Sequence, residues 1–367
     1  MRILMVRVSA LGDAIHTLPA LDILKKNLPD AKIDWLVQHK TAGIVNHVPG
    51  LNHVYTLSDR YLMPRYWRKT ISTMGKLRAA RYDLIIDFQG LLKTSIITLA
   101  LDTPSIGFGW HSARERLSSL VHTTTINVPP STNIIEKNNM LARAAVTMLT
   151  HLPVEKSIRG PISSAPQPSS AAQEQVTTWV AANGAKRLIL LSPNTTWASK
   201  HWPLQRWEEL AFKLGVQPNH TIVLVGQNFG AQGAGLASFI QQHSLAIAIA
   251  PAWTLDAIFA AMHHTDLIIA PDTGLLHIAD CLGVATIGLY GPTKAMRHGP
   301  QISPGNRELC FQINCIHDYQ KTHGKITNSS EAQDCMYKLS ADDVLKRVNS
   351  VIAQTGGNHE TNLTFSD

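Results

Sequence analysis

A doubly wound α/β architecture, built twice in tandem, is the fold class this sequence predicts. Three observations lead to it. Short apolar runs alternate with helical patterns through the first half, a segment rich in Pro, Ser, Ala and Gln interrupts them at residues 160–175, and the same alternation then restarts. The length of 367 residues exceeds one typical core. The expected division is a first domain over 1–165, a second over 166–340, and a helix with a polar tail over 341–367.

The elements follow in order. "ILMVRV" (3–8) is a short apolar run rich in branched residues, a buried strand. From Ala14 on, Ile15, Leu18, Leu21 and Leu24 recur at helical spacing, with Lys25 and Lys26 in the last turn. "IDWLV" (33–37), "YDLIIDFQG" (82–90) and "PSIGFGW" (104–110) continue the strand–helix rhythm. "GPISSAPQPSSAAQEQ" (160–175) has no apolar period and reads as a linker, or a loop opening a helix. Beyond it "RLILLSPN" is a strand, "WPLQRWEELAFKLG" a helix, "HTIVLVGQ" a strand, and residues 231–243 a helix. "LAIAIAP" and "DLIIAPDTG" are strands around the helix "TLDAIFAAMHH"; "LLHIADCLG" is a helix ended by Gly283, and "VATIGLYGP" a strand.

Composition narrows the function classes. Hydrophobic content of 44% and charged content of 16% suit a soluble enzyme with buried parallel strands. There is no run of eighteen apolar residues and no charged-then-apolar leader, so neither a membrane span nor a signal peptide is expected. Four cysteines (Cys281, Cys310, Cys315, Cys335) are too few for a disulfide framework and are expected as plain thiols in a cytoplasmic setting. A zinc site from Cys310, Cys315, Cys335 and His317 has unconvincing spacing. The net charge of +7 points to an anionic partner. From Arg60 to Tyr82 there are seven basic residues (Arg60, Arg65, Arg68, Lys69, Lys76, Arg78, Arg81) and no acid, interleaved with Tyr61, Met63, Trp67 and Ile71. That mixture suits anionic lipid headgroups, against the alternative of a solvated helix packing its apolar stripe on the sheet. No nucleic-acid-binding motif accompanies it.

Two turns carry candidate chemistry. "SALGD" (9–13) joins the first strand to its helix, where a dinucleotide fold needs G-x-G-x-x-G to admit a pyrophosphate. One glycine, Gly12, and one acid, Asp13, stand there instead. Asp13 is either a helix N-cap or a general base at the carboxyl edge of a parallel sheet. In "APDTGLLHIADCLG" (270–283), Asp272, Thr273 and Gly274 open a helix whose first backbone N–H groups can face an anion. Lys200 in "SPNTTWASKHWP" supplies a cation, with Thr195 and Thr196 as hydroxyl donors, to stabilise a departing diphosphate. The bland alternatives are an N-cap for Asp272, a satisfied helix histidine for His277 and a solvated Lys200. "GAQGAG" (230–235) has the wrong spacing for a phosphate loop, and Asp-x-Asp, His-Glu-x-x-His and Gly-x-Ser-x-Gly are absent.

"RVSALGDAIHTLPAL", "DFQGLLKT", "GFGWHSARERLSSL", "NTTWASKHWP", "DTGLLHIADCLGVATIGLYGPT" and "CMYKLSADDVLKRV" together resemble glycosyltransferase family 9, the ADP-heptose:lipopolysaccharide heptosyltransferases, over residues 1–350. The nearest branch is its type I, which adds the first heptose to a Kdo residue of lipid A precursors. The resemblance implies a GT-B fold of two Rossmann-like domains facing across a cleft, inverting chemistry, no metal or other cofactor, and a monomer. It implies Asp13 as catalytic base, with Lys200 assisting the leaving diphosphate. It also implies donor contacts from Thr195, Thr196, Lys200, Trp253, Asp272, Thr273, Gly274 and His277. Ser9, Gly12, Arg60, Gln89, Trp110 and Arg114 fall on the acceptor side, and the last helix is expected to pack back on the first domain. The implied partners are ADP-heptose, an anionic Kdo-lipid A-type acceptor and the cytoplasmic face of the inner membrane, with no nucleic acid. The chain departs from the family at Ala10, at Asn133 and in "GQNFGAQGAG", which lacks an acid for the ribose. A type II or other family 9 transferase, a GT-B nucleotide-sugar epimerase and a non-catalytic binding protein are the rival readings. A NAD-dependent oxidoreductase lacks its fingerprint.

Overall fold

The computed structural model describes residues 1–61, 63–154, 162–185, 187–215, 220–226, 230–303, 305–313 and 335–356. The chain divides into two units, Met1–Gln167 and Pro168–Asp367. Both are doubly wound, as expected.

The first unit begins with β1 (Arg2–Val6), α1 (Leu11–Ile15), α2 (Leu18–Asn27), β2 (Lys32–Gln38), α3 (His39–Val45) and β3 (His53–Leu57). It continues through α4 (Trp67–Ala79), β4 (Leu84–Asp87), α5 (Leu92–Ala100), β5 (Ser105–Phe108), β6 (Thr124–Ile126) and α6 (Ile134–Thr150). The sheet order is β3-β2-β1-β4-β5-β6, all parallel. Ile3, Leu4, Met5 and Val6 are fully buried, as a strand covered on both faces requires. The chain winds outward from β1 through β2 to β3, then returns to β4 on the other side. The carboxyl ends of β1 and β4 therefore form the topological switch point, where open α/β sheets place their ligands.

The helical pattern after β1 is two helices, not one. Pro19 stands in the first turn of α2; without an N–H it could not continue a helix from α1. Asn138 of α6 donates to His16 O (2.9 Å) and Thr17 Oγ1 (3.3 Å) across the break. The expected linker is also partly packed. Ile162, Ser164 and Ala165 are buried. The Asp22 carboxylate accepts from Ser163 N (2.8 Å), Ser163 Oγ (3.0 Å), Ser164 N (2.9 Å) and Ser164 Oγ.

The second unit contains α7 (Ser170–Ala182), β7 (Leu188–Leu191), α8 (Leu204–Leu214), β8 (Thr221–Leu224), α9 (Ala231–Gln242), β9 (Ala248–Ile249) and α10 (Leu255–Met262). After these come β10 (Thr265–Pro271), α11 (Gly274–Cys281), β11 (Ala285–Tyr290), α12 (Ala295–His298), β12 (Phe311–Gln312) and α13 (Ala341–Gly356). The sheet order β12-β11-β10-β7-β8-β9 puts its switch point at β7 and β10. The last helix packs on α8 and β11 of its own unit. Its Val344, Val348 and Val351 join Trp202, Trp207 and Leu210 in one core. Cys335 is disulfide-bonded, which corrects the expectation of plain thiols; Cys281 and Cys310 are in the thiol form, while Cys315 and His317 lie outside the described residues.

Candidate active site

Two switch points, one in each unit, hold Asp13 and Gln89 in the first and Lys200 and Asp272 in the second. In the first unit β1 is followed by Arg7, a cation at the end of an apolar strand. Its guanidinium is buried, donating through Nη1 to Phe88 O and pairing through Nη2 with Asp13 Oδ1 at 3.1 Å. Ala10 is the N-cap of α1, so Asp13 sits one turn inside the helix, not at the cap. Its Oδ2 accepts from Ala10 N at 3.2 Å, the backward half of a capping box. Ala10 has no side-chain acceptor to form the other half. Asp13 thus does part of a cap's work while 30% of its side chain stays exposed.

Gln89 fixes the same turn from β4. Its buried Oε1 accepts from Val8 N (3.0 Å) and Ser9 N (3.2 Å). Asp87, fully buried at the end of β4, shapes the Gln89 loop. Its Oδ1 accepts from Gln89 N (2.8 Å) and Gly90 N (3.3 Å), and its Oδ2 from Thr94 Oγ1 (3.1 Å). His122 Nε2 lies 3.5 Å from Asp87 Oδ2, out of line for a hydrogen bond. Burial raises the Asp87 carboxyl pKa against the pull of His122, and lowers that of the His122 imidazole against the pull of Asp87. Gly90 O accepts from Glu115 N at 3.0 Å, which joins this loop to the one after β5. Trp110, 41% exposed, and the exposed Arg114 stand on that loop. Ser9 and Gly12 are half-buried in the Asp13 turn, and Arg60 is exposed ahead of α4.

In the second unit Thr273 caps α11, its hydroxyl accepting from Leu276 N at 3.5 Å. The N–H groups of Gly274 and Leu275 then have no acceptor within the helix. Asp272 is not the cap. Its Oδ2 lies 2.6 Å from Lys200 Nζ and its Oδ1 3.1 Å from His277 Nε2. Burial alone would raise this carboxyl; Lys200, then His277 and His298, overcome it and hold the group well below the usual carboxylate range. Lys200 is therefore paired, not solvated, and lies on a short 3₁₀ helix, Ala198–Lys200. Thr195 is half-buried and Thr196 exposed on the same loop.

Trp253 follows β9 in the same unit. It is 2% exposed and packs edge-on against Trp179, with ring centroids 5.1 Å apart. Sequence reasoning missed Arg7, Asp87 and Asn194. Asn194 accepts from Gly233 N (3.0 Å) and donates to Gly226 O (2.6 Å), so the discounted glycine-rich stretch opens α9 against it. The one local signal for Arg7 was a cation inside an apolar run. Among the described residues, no group of three or more His, Cys, Asp or Glu side chains is placed to hold a metal ion.

Residues 71–326 match glycosyltransferase family 9 (heptosyltransferase). The chain belongs to glycosyltransferase family 9. As a family 9 heptosyltransferase it is similar to lipopolysaccharide heptosyltransferase 1 of Pseudomonas aeruginosa, at 31% identity over 80% of this chain and 79% of that protein. Lipopolysaccharide heptosyltransferase 1 of Escherichia coli K12 is 26% identical over 80% and 88%. An Escherichia coli heptosyltransferase solved with ADP superposes with a TM-score of 0.74 at 22% identity, covering 96% of this chain and 100% of that one. Escherichia coli ADP-heptose lipopolysaccharide heptosyltransferase II gives 0.72 at 18% identity, over 97% and 100%. The fold is that of the GT-B heptosyltransferases, with two parallel six-stranded sheets.

Proposed function

We propose that this enzyme transfers L-glycero-D-manno-heptose from ADP-heptose to a Kdo residue of the lipopolysaccharide inner core, with inversion and without a metal. The observation that carries the reading is Asp13, a part-exposed carboxylate fixed at the first unit's switch point by Arg7 and Ala10 N. An acid there repels phosphate and suits an acceptor hydroxyl. The first unit supplies the base and the second holds the diphosphate. Asp13 takes the proton as the acceptor oxygen attacks the anomeric carbon, and the bond from that carbon to the β-phosphate oxygen breaks. Lys200 and the N–H groups of Gly274 and Leu275 stabilise the charge that develops on the leaving ADP.

Ser9, Gly12, Trp110, Arg60 and Arg114 take the anionic acceptor, and Gln89 positions the turn that carries the base. Thr195, Thr196, Thr273 and His277 line or support the donor side, and Asp272 orients Lys200. The similarity to lipopolysaccharide heptosyltransferase 1 of two bacteria supports this reading. So does a similar heptosyltransferase solved with an ADP-fluoroheptose. A lipid acceptor puts the enzyme, as a monomer, at the cytoplasmic face of the inner membrane. Among the described residues, no helix is long and apolar enough to cross a membrane.

ADP release from ADP-heptose, with and without a deacylated Kdo-lipid A acceptor, tests this in wild type and Asp13→Asn. The expected result is acceptor-dependent release that falls by about a hundredfold or more in the variant while ADP still binds. Release without acceptor, or a fully active variant, would sink the reading and return Asp13 to capping its helix.

A further inference from the structure

Helix α5 is amphipathic in the reverse sense. Thr94, Ser95 and Thr98 are buried, whereas Leu92, Ile96 and Leu99 are exposed at 38%, 52% and 62%. The three apolar residues are spaced i, i+4, i+7 and share one face. The buried hydroxyls have partners: Thr94 and Ser95 donate to Asp87 Oδ2 at 3.1 and 3.4 Å, and Thr98 to Thr94 O at 3.1 Å. Beside α5 packs a 3₁₀ helix, Arg116–Val121, that repeats the inversion. Its Ser118 and Ser119 are buried, and its Leu117 and Leu120 are 55% and 73% exposed. Single exposed leucines are ordinary; five apolar side chains on two adjoining elements that both turn their hydroxyls inward are not.

The surroundings are mostly basic, although Asp102, just past the end of α5, is exposed as well. Arg114 and Arg116 are exposed and Lys93 half-buried. Glu115, the acid between the two arginines, is engaged, its Oε2 accepting from Leu92 N at 2.6 Å and tying the 3₁₀ helix to the start of α5. At the far end Arg78 of α4 donates to Ala100 O through Nη2 (2.7 Å) and Nε (3.0 Å), so the acid-free basic helix abuts α5.

We propose that the face formed by α5 and residues 116–121 is a membrane-docking surface for an anionic bilayer. Its leucines and isoleucine enter the headgroup–acyl boundary, and the basic side chains around them pair with lipid phosphates. The inference rests on the lipid-acceptor reading above. The charge selects a bilayer over a second copy of the chain, because two such basic rims repel each other.

The test is co-sedimentation with vesicles of phosphatidylglycerol and phosphatidylcholine, against vesicles of phosphatidylcholine alone. Wild type is expected to bind the mixed vesicles selectively. Ile96→Ser/Leu99→Ser/Leu120→Ser should lower that partition by about tenfold or more, and Lys93→Gln/Arg116→Gln should abolish the preference for anionic lipid. Turnover of the water-soluble deacylated acceptor should stay at the wild-type level in both, which excludes misfolding. As a second readout, Leu99→Trp should show a blue-shifted emission on adding the mixed vesicles. Unchanged partition of the triple-serine variant overturns the proposal. So does a dimer in sedimentation velocity that the triple variant converts to monomer with vesicle binding intact, which assigns the face to a second copy. Wild type that binds vesicles but transfers nothing to the soluble acceptor breaks the proposed function and leaves the docking surface standing.

Discussion

Arg7 shows how one side chain can hold a candidate site together. Its guanidinium must reach Phe88 O and Asp13 Oδ1 together, a two-pronged geometry that a lysine ammonium cannot copy. Arg7→Lys should therefore lower kcat by about tenfold or more with ADP affinity unchanged, checked by steady-state kinetics and ADP titration. In the second unit the pair of Lys200 and Asp272 is mostly buried, at 16% and 9% side-chain exposure. Asp272→Asn would leave Lys200 without its counter-charge, and is expected to cost about 3 kcal/mol at pH 7 in urea unfolding. Because the folded carboxyl is held below its ordinary value, its stabilisation is fully present above the unfolded pKa of about 4 and disappears as pH falls through the folded one. The gap between wild type and Asp272→Asn should accordingly narrow below about pH 4. Asp13, Asp272 and Lys200 were legible as charged residues in turns and loops that follow strands. That Lys200 is already paired, and that Trp253 lies inside the fold, were not.

Elements were legible where their pattern was long. The central strands and α8 through α11 follow from apolar runs and helical periods. The strands β3, β6 and β12 did not stand out, since they lie at the sheet edges and include exposed or half-buried residues that blur a buried-strand signal. The break between α1 and α2 depends on Asn138, which satisfies a carbonyl that a continuous helix would have satisfied itself. Asn138→Ala should destabilise the first unit by about 1–3 kcal/mol in denaturant titration. Gly107 of β5 is needed because a Cβ there would meet the His122 ring. Gly107→Ala should lower stability by about 1–3 kcal/mol, with the displaced His122 visible as a shifted imidazole resonance.

Across the whole molecule the net charge of +7 is a property of partners more than of fold. Its densest run, Arg60 to Arg81, lies on exposed surface with Leu77 and Tyr61 as its buried anchors. Raising ionic strength from about 0.05 to 0.5 M should therefore raise KM for an anionic acceptor several-fold and leave kcat in place, measured with the deacylated substrate. The sequence by itself determined the tandem α/β plan and the two strand-to-helix turns, because periodicity, glycine placement and capping chemistry act between near neighbours. Tertiary structure decided which side chains meet. Arg7 finds Phe88 O 81 positions away, and Lys200 finds Asp272 72 positions away. Those meetings follow from β4 lying beside β1 and β10 beside β7. The inverted faces of α5 and residues 116–121 were likewise decided there. A buried aspartate drew the hydroxyls of α5 inward, and its leucines were left outside.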